Sequence, residues 1–367
     1  MTTNHKIIYA DATNLSNLQT NSIQLMITSP PYPMVEMWDE SFSKQNPEIK
    51  VALESKDGAR AFELMHQILD KVWDETYRVL ASGGIACINI GDATRTIEEN
   101  FQLYNSHSRI LNHCMKIGFQ SLPSIIWRKQ TNAPNKFMGS GMLPPGAYVT
   151  LEHEHILILR KGAKKSFTTV EEKRNRQESS FFWEERNEWF SDVWLSLKGT
   201  KQRMDSSEVR ERSGAYPFEL AYRLINMFSV KGDTVLDPFA GTGTTMLAAI
   251  AAERNSIGVE LDAGFSKIIK SRMLSAKESL NFYLQERISK HLDFINKRSI
   301  EKGVPKYKNE NHGFEVITRQ EINLKLNIIK TIRLAEKQFL AEYHQADIVE
   351  NKNLNNLGAY IADVVSG

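Results

Sequence analysis

A doubly wound, mostly parallel, Rossmann-like α/β sheet is the fold this 367-residue sequence predicts, and three observations predict it. Short apolar runs of strand length alternate with longer segments of helical spacing, the pattern of βαβ units. One run ends in Thr28-Ser29-Pro30-Pro31-Tyr32, and another in Asp237-Pro238-Phe239-Ala240-Gly241-Thr242-Gly243-Thr244-Thr245. A stiff or glycine-rich turn directly after a strand is where open α/β sheets hold ligands.

Each element follows from its residues. Residues 6–9 (KIIY) and 23–28 (IQLMIT) read as short buried strands. Phe62, Met65, Ile68, Leu69, Val72, Trp73, Tyr77 and Leu80 fall at helical spacing across 61–80, and Ser82-Gly83-Gly84 is expected to stop that helix. IACINI follows as a strand, then a helix near 105–117, and strands near 122–127 and 149–159. From about 130 to 212 the pattern breaks into Pro- and Gly-punctuated, charged, tryptophan-containing sequence, as in an inserted module. Order returns at 217–228, with Pro217 at a helix start, and continues as strand (TVLDP), glycine turn, helix (TTMLAAIAAE) and strand (SIGVEL). Leu284, Ile288, Leu292 and Ile295 share a helical face, and 321–343 reads as a second amphipathic segment. The expected division is 1–129, 130–212, 213–275 and a helical extension at 276–367.

Composition narrows the class. Hydrophobic residues make up 41% and charged residues 25%, as in an ordinary globular protein, and no apolar run reaches the roughly 20 residues of a membrane span. The N-terminus carries no secretory pattern, so a cytoplasmic location is expected. Two cysteines, Cys87 and Cys114, exclude a disulfide framework and a CxxC metal site. Net charge is only +2, but 160–212 holds 13 Lys/Arg against 10 Asp/Glu, and 276–345 holds 13 against 9. The basic residues are interleaved with Phe181, Phe182, Trp183, Trp189 and Trp194, a mixture suited to phosphates and bases. A solvated surface over a small aromatic core explains it equally well.

The two turns carry the chemistry. In DPFAGTGTT the glycines remove Cβ atoms where a ligand must approach the backbone, and a helix N-terminus follows at once. Glu260 ends the next strand 19 residues after Gly241, where nucleotide-binding βαβ units place an acid on ribose hydroxyls. The third glycine of a dinucleotide site and the lysine of a P-loop are both missing. In TSPPY, Pro30 and Pro31 fix the backbone in a carbonyl-presenting turn with Tyr32 at its exit. The Ser29 hydroxyl and the Pro30 carbonyl suit the N–H groups of an exocyclic amine, and Tyr32 suits the face of a base. Taken alone, this turn reads equally as an ordinary Ser-Pro-Pro turn.

Together, in this order, the turns resemble those of the β class of DNA amino-methyltransferases, over roughly residues 5–160 and 213–275. The resemblance implies S-adenosylmethionine as cofactor, held by Asp11, Asp237, Pro238, Phe239, Gly241, Gly243, Thr244 and Glu260. It implies that Ser29, Pro30, Pro31 and Tyr32 receive a base flipped out of double-stranded DNA. Tyr216-Pro217-Phe218 resembles the family's element before the glycine strand. Serine before the prolines resembles the cytosine-N4 group, with adenine-N6 methylation as the alternative and a non-catalytic nucleic-acid-binding module as the alternative of another kind. Cys87 lacks the preceding proline of a cytosine-C5 nucleophile. The 130–212 segment is expected to read the DNA sequence, with Arg174, Arg176, Lys201 and Arg203 as contacts. A partner restriction endonuclease is a further expectation of the resemblance, and the C-terminal amphipathic segments are read as packing or homodimer surface. His153-Glu154-His155 offers two ligands on one strand face, too few for a site, and no metal is assigned.

Overall fold

The computed structural model of the chain describes residues 1–129, 138–197 and 216–346. Its strands begin with β1 (Thr2–Tyr9), β2 (Ile23–Thr28), β3 (Leu80–Ile90), β4 (Ala93–Ile97), β5 (Asn100–Tyr104) and β6 (Phe119–Arg128). They continue with β7 (Met138–Gly139), β8 (Ala147–Tyr148), β9 (His153–Lys161), β10 (Val193–Trp194) and β11 (Thr234–Asp237). Last come β12 (Asn255–Glu260), β13 (Tyr307–Lys308), β14 (Glu315–Val316), β15 (Asn327–Ala335) and β16 (Gln338–Gln345). The described helices are α1 (Asp39–Gln45), α2 (Pro47–Glu54), α3 (Gly58–Val79), α4 (Ser106–Lys116) and α5 (Val170–Glu178). After them come α6 (Trp183–Trp189), α7 (Phe218–Phe228), α8 (Thr244–Ala251), α9 (Ser266–Ser275) and α10 (Lys277–Lys302).

One sheet runs β10-β6-β9-β3-β2-β11-β12-β1-β16-β15. Its centre, β3 through β1, is parallel, whereas β9, β6 and the β15–β16 hairpin add antiparallel neighbours. The two-residue period decides which side chain goes where. Leu25, Ile27, Ile85 and Cys87 enter the core under α7, α8 and α10, while Met26, Ala86 and Ile88 enter the core under α3. In α3, Met65, Leu69, Val72 and Trp73 line the buried face, each contributing about 1.5–3 kcal/mol by leaving water. The helices after the adjacent strands β2 and β11 thus lie on opposite faces of the sheet, which opens a crevice beyond the strand ends.

Two expectations need correction. Helix α3 ends at Val79, and Ser82-Gly83-Gly84 lies inside β3, where the register jumps between Ile23–Leu80 and Leu25–Ile85. Gly83 takes a positive φ of 81° at that irregularity. Among the described residues, the C-terminal segment is α-helical only through α10. In place of a second amphipathic helix, 327–345 forms a hairpin, turned at Glu336 with φ 55°. Ile329, Phe339 and Ala341 are buried with period two, and β16 covers the edge that β1 would otherwise expose. Of the two readings open for the insert's aromatics, burial favours the small core: Phe182, Trp189 and Trp194 are buried, Phe181 is half-buried and Trp183 is exposed.

Candidate active site

The crevice is framed by the two predicted turns, whose strands are neighbours. Thr28, the last residue of β2, donates its hydroxyl to Asp237 Oδ1, the last residue of β11, at 2.7 Å. Asp237 Oδ1 also accepts the Phe239 N–H at 3.0 Å. Its Oδ2 accepts from the hydroxyls of Tyr216 and Thr245. Burial raises its pKa, and the bonds from Thr245 and Thr28 pull it back. Both oxygens are used by the protein and the residue is buried, so Asp237 acts as the joint between the turns, not as an open ligand contact. Tyr216, singled out in the sequence for resemblance alone, is part of that joint.

The glycine turn is shaped for a ligand. Gly241 has φ 51°, and a Cβ built on it would meet nothing within 4 Å. Its N–H donates to Glu260 Oε2 at 2.8 Å, while Glu260 Oε1 accepts the Asp262 N–H at 2.9 Å. Each carboxylate oxygen keeps a further lone pair for a hydroxyl donor. Burial raises the Glu260 pKa and the two backbone donors oppose it. Gly243 (φ 86°) caps α8, whose first residue, Thr244, keeps a buried hydroxyl without a partner among the described residues. Pro238 is buried, and half-buried Phe239 sets its ring edge-on against Trp73 at 6.4 Å. Asp11 lies exposed just past β1, its Oδ1 fixed by the Thr13 N–H at 2.8 Å. Open space above a left-handed glycine, beside a two-oxygen acceptor at a strand end, fits a nucleoside-type cofactor.

The TSPPY turn is wired from behind. Ser29 Oγ donates to Tyr32 Oη at 3.0 Å, and Tyr32 Oη donates to Glu154 Oε2 at 2.9 Å. Asn89, from the end of β3, donates Nδ2 to Tyr32 Oη at 2.9 Å and to Glu154 Oε2 at 2.6 Å, and reaches Ser29 only at 3.5 Å. Lys129 closes the set, its Nζ 2.9 Å from Glu154 Oε1. Gly91 leaves room for the Tyr32 ring, because a Cβ there would lie 2.9 Å from Cε2. Burial, then the charge of Glu154, holds the Tyr32 phenol well above its ordinary pKa. Pro30 is buried and Pro31 half-buried, and neither carries an N–H, so the turn offers acceptors.

Asn89, Glu154 and Lys129 were not among the predicted site residues. Asn89 signals itself as an amide inside the apolar run IACINI, and Glu154 by standing among strand residues. Nothing marks Lys129 in sequence. Next to this network, Asp92, His107 and His155 bring ligand atoms within 4.8 Å of one another. Asp92 already accepts the His107 N–H at 3.0 Å and contacts His107 Nδ1 at 2.7 Å, and the rings of His107 and His155 stack at 3.9 Å. Burial would raise the Asp92 carboxyl, but the His107 bonds outweigh it and hold it below its usual range, while burial lowers His155 to about 4. Because both Asp92 oxygens are engaged with His107, we assign no metal to the group.

The predicted DNA contacts divide. Arg174 and Arg176 lie exposed on α5, where Asn175 bonds the carbonyl of Lys231 ahead of β11, at the opposite strand end from both turns. Arg174 pairs with Glu178, and Arg176 stands over Phe167. Their assignment to the DNA surface beside the site is therefore withdrawn. Lys201 and Arg203 lie outside the described residues. The chain enters that stretch from Leu197, whose carbonyl accepts from Trp127 near the end of β6, and leaves it at Tyr216, bonded to Asp237.

Comparison with known proteins agrees with this geometry. The family model described as DNA methylase matches residues 23–271. Type II methyltransferase M.MthZI of Methanothermobacter thermautotrophicus is 51% identical over 346 residues, covering 94% of this chain and 96% of that protein. Type II methyltransferase M.MjaI of Methanocaldococcus jannaschii is 48% identical over 284 residues, 74% of this chain and 92% of that one. A candidate DNA modification methylase of Thermus thermophilus, solved in complex with S-adenosyl-L-methionine, superposes with a TM-score of 0.57 at 31% identity, covering 73% of this chain and 92% of its own. No described helix is long and apolar enough to cross a membrane. The chain belongs to the DNA methylase family, and it is a DNA methyltransferase whose cofactor is S-adenosylmethionine.

Proposed function

We propose that the protein methylates the N4 amine of a cytosine turned out of duplex DNA. The observation that carries this reading is the Ser29 hydroxyl, whose proton is directed to Tyr32 and whose oxygen, among the described residues, is met by a donor only at 3.5 Å, from Asn89 Nδ2. An exocyclic amine is a poor nucleophile, because its lone pair is delocalised into the ring. Ser29 Oγ and the Pro30 carbonyl, as acceptors, would hold its N–H groups and so aim that lone pair. Extruding the base costs a few kcal/mol, and stacking on Tyr32, at about 1–3 kcal/mol, offsets much of it. Bound S-adenosylmethionine supplies an electrophilic methyl group on a sulfonium. Gly241 and Gly243 would admit it to the backbone, flanked by Pro238, Phe239 and Thr244. Glu260 would accept its ribose hydroxyls, and Asp11 its adenine amine.

We assign sequence reading to the 130–212 segment, with Lys201 and Arg203, which lie outside the described residues, kept as candidate contacts from the sequence. The Type II names of the relatives M.MthZI and M.MjaI support a place beside a restriction endonuclease. The test is to treat plasmid DNA with enzyme and S-adenosylmethionine, digest it to nucleosides, and weigh them. N4-methyldeoxycytidine is the expected product. N6-methyldeoxyadenosine would overturn the choice of base, and DNA binding without any methylated nucleoside would indicate a binding module.

A further inference from the structure

Methylating an amine leaves a surplus proton, and the network behind the TSPPY turn is a directed chain of donors leading away from the place where that proton is released. We propose that Glu154 is the terminal acceptor of the target amine's proton, reached through the hydroxyls of Ser29 and Tyr32. The proposal rests on the amine-methylation reading above.

The step balances. The nitrogen lone pair forms the new N–C bond as the methyl–sulfur bond breaks, with its electron pair retained on sulfur. The nitrogen becomes positive and one N–H proton passes to Ser29 Oγ. The Ser29 proton moves to Tyr32 Oη, the Tyr32 proton moves to Glu154 Oε2, and the carboxylate ends as a neutral acid. No further reactant is needed.

Four observations support the route. The donors point one way, from Ser29 to Tyr32 at 3.0 Å and from Tyr32 to Glu154 at 2.9 Å. Ser29 Oγ gives its proton to Tyr32 and meets Asn89 only at 3.5 Å, so a lone pair is left for the amine. The Tyr32 phenol resists ionisation, so it relays a proton by gaining one as it loses another. Glu154 is buried, but its other oxygen pairs with Lys129, whose side chain is 45% exposed, so the carboxyl lies one side chain from solvent, to which it returns its proton after turnover. Asn89, bonded to both Tyr32 and Glu154, is the positioning residue that keeps the chain aligned.

The test compares wild type with Tyr32→Phe, Glu154→Gln and Glu154→Asp in single-turnover methyl transfer, in light and heavy water. Duplex affinity and the fluorescence of an extruded cytosine analogue are measured alongside, because they report the site without turnover. Tyr32→Phe keeps the stacking face and breaks the relay, and Glu154→Gln keeps the shape and removes the acceptor. Each should slow transfer by about 10²-fold, with base extrusion and DNA affinity nearly unchanged. The solvent isotope effect of the wild type should be altered in both, and Glu154→Asp should recover part of the rate. A Glu154→Gln enzyme with wild-type rate and isotope effect would overturn the relay. So would a rate that falls only in proportion to lost base extrusion, since Glu154 would then merely hold Tyr32. If the wild type methylates adenine, the choice of base fails, but the same variants still decide the relay, because that amine sheds the same proton.

Discussion

The turns after β2 and β11 leave adjacent strands at the same end of the sheet, yet they are built on opposite plans. Behind TSPPY, Ser29, Tyr32, Asn89, Glu154 and Lys129 bond to one another, so the hydroxyls are oriented before any base arrives. Above the glycine turn the protein leaves space, and Glu260 beside it is held by two backbone N–H groups, those of Gly241 and Asp262. The difference follows from what each must bind. A base that has just left its stack gains little from fitting a soft surface, so the surface that receives it is pre-oriented. A large flexible cofactor needs backbone approach and lone pairs more than rigid side chains.

The sharpest way to break the comparison is to fill the open turn. Gly241→Leu sends a side chain into the space beside the turn and must hold φ 51°, a conformation that costs a non-glycine residue about 1 kcal/mol. S-adenosylmethionine affinity should fall by about 10²-fold or more, equivalent to about 2.7 kcal/mol. Thermal unfolding should report a folded domain, because a Cβ at this position meets no described atom within 4 Å. Calorimetric affinity equal to wild type in a folded Gly241→Leu protein would move the cofactor elsewhere.

Most of this contrast was legible in the sequence on the cofactor side and only half of it on the target side. Glycines and a strand-end acid announce themselves locally, since Gly241 and Glu260 are set by one contiguous βαβ unit. The TSPPY network is assembled from β2, β3, β6 and β9, so Asn89, Glu154 and Lys129 meet Tyr32 only through strand pairing that no local pattern encodes. The same reason explains the hairpin at 327–345. Its residues tolerate a helical reading, and the free edge of β1, over three hundred residues away, decides for strand. Arg174 and Arg176 failed differently: composition reports that charge exists, not at which end of the sheet it lies.

A medium-sized effect separates the two sides by pH. His5, on β1 beside the cofactor half, contacts Thr3 and Ser256 at 2.7 and 2.8 Å, whereas His66, on α3 under the target half, has neither ring nitrogen partnered among the described residues. Burial lowers both to about 3. Their folded pKa lies below the unfolded value of about 6.5, so below that pH the unfolded chain binds more protons. Stability is then lost as pH falls from about 6.5 towards 3, by about 2 kcal/mol per histidine between pH 7 and 5. His66→Leu should remove its share of that slope, while His5→Leu should remove a similar slope but lose two hydrogen bonds at neutral pH. Urea unfolding at pH 7 and pH 5 measures both. An unchanged slope in His66→Leu would mean that its ring is already charged or solvated in the native protein.

The smallest change probes the seam between the two plans. Thr28→Val keeps the volume and β-branching of the last β2 residue but removes the hydroxyl that reaches across to Asp237. Asp237 Oδ1 would still accept from the Phe239 N–H, so no carboxylate oxygen is left bare, and the loss of stability should be about 1 kcal/mol. The functional consequence should be shared, because Thr28 directly precedes Ser29 and Asp237 fixes the turn that carries Gly241. A loosened joint should weaken cofactor affinity and slow methyl transfer together, each by a few fold. Combining Thr28→Val with Asp237→Ala should then cost less than the sum of the two single changes, since both remove the same bond. Strict additivity, or transfer falling while cofactor affinity stays fixed, would show that the two turns are positioned independently.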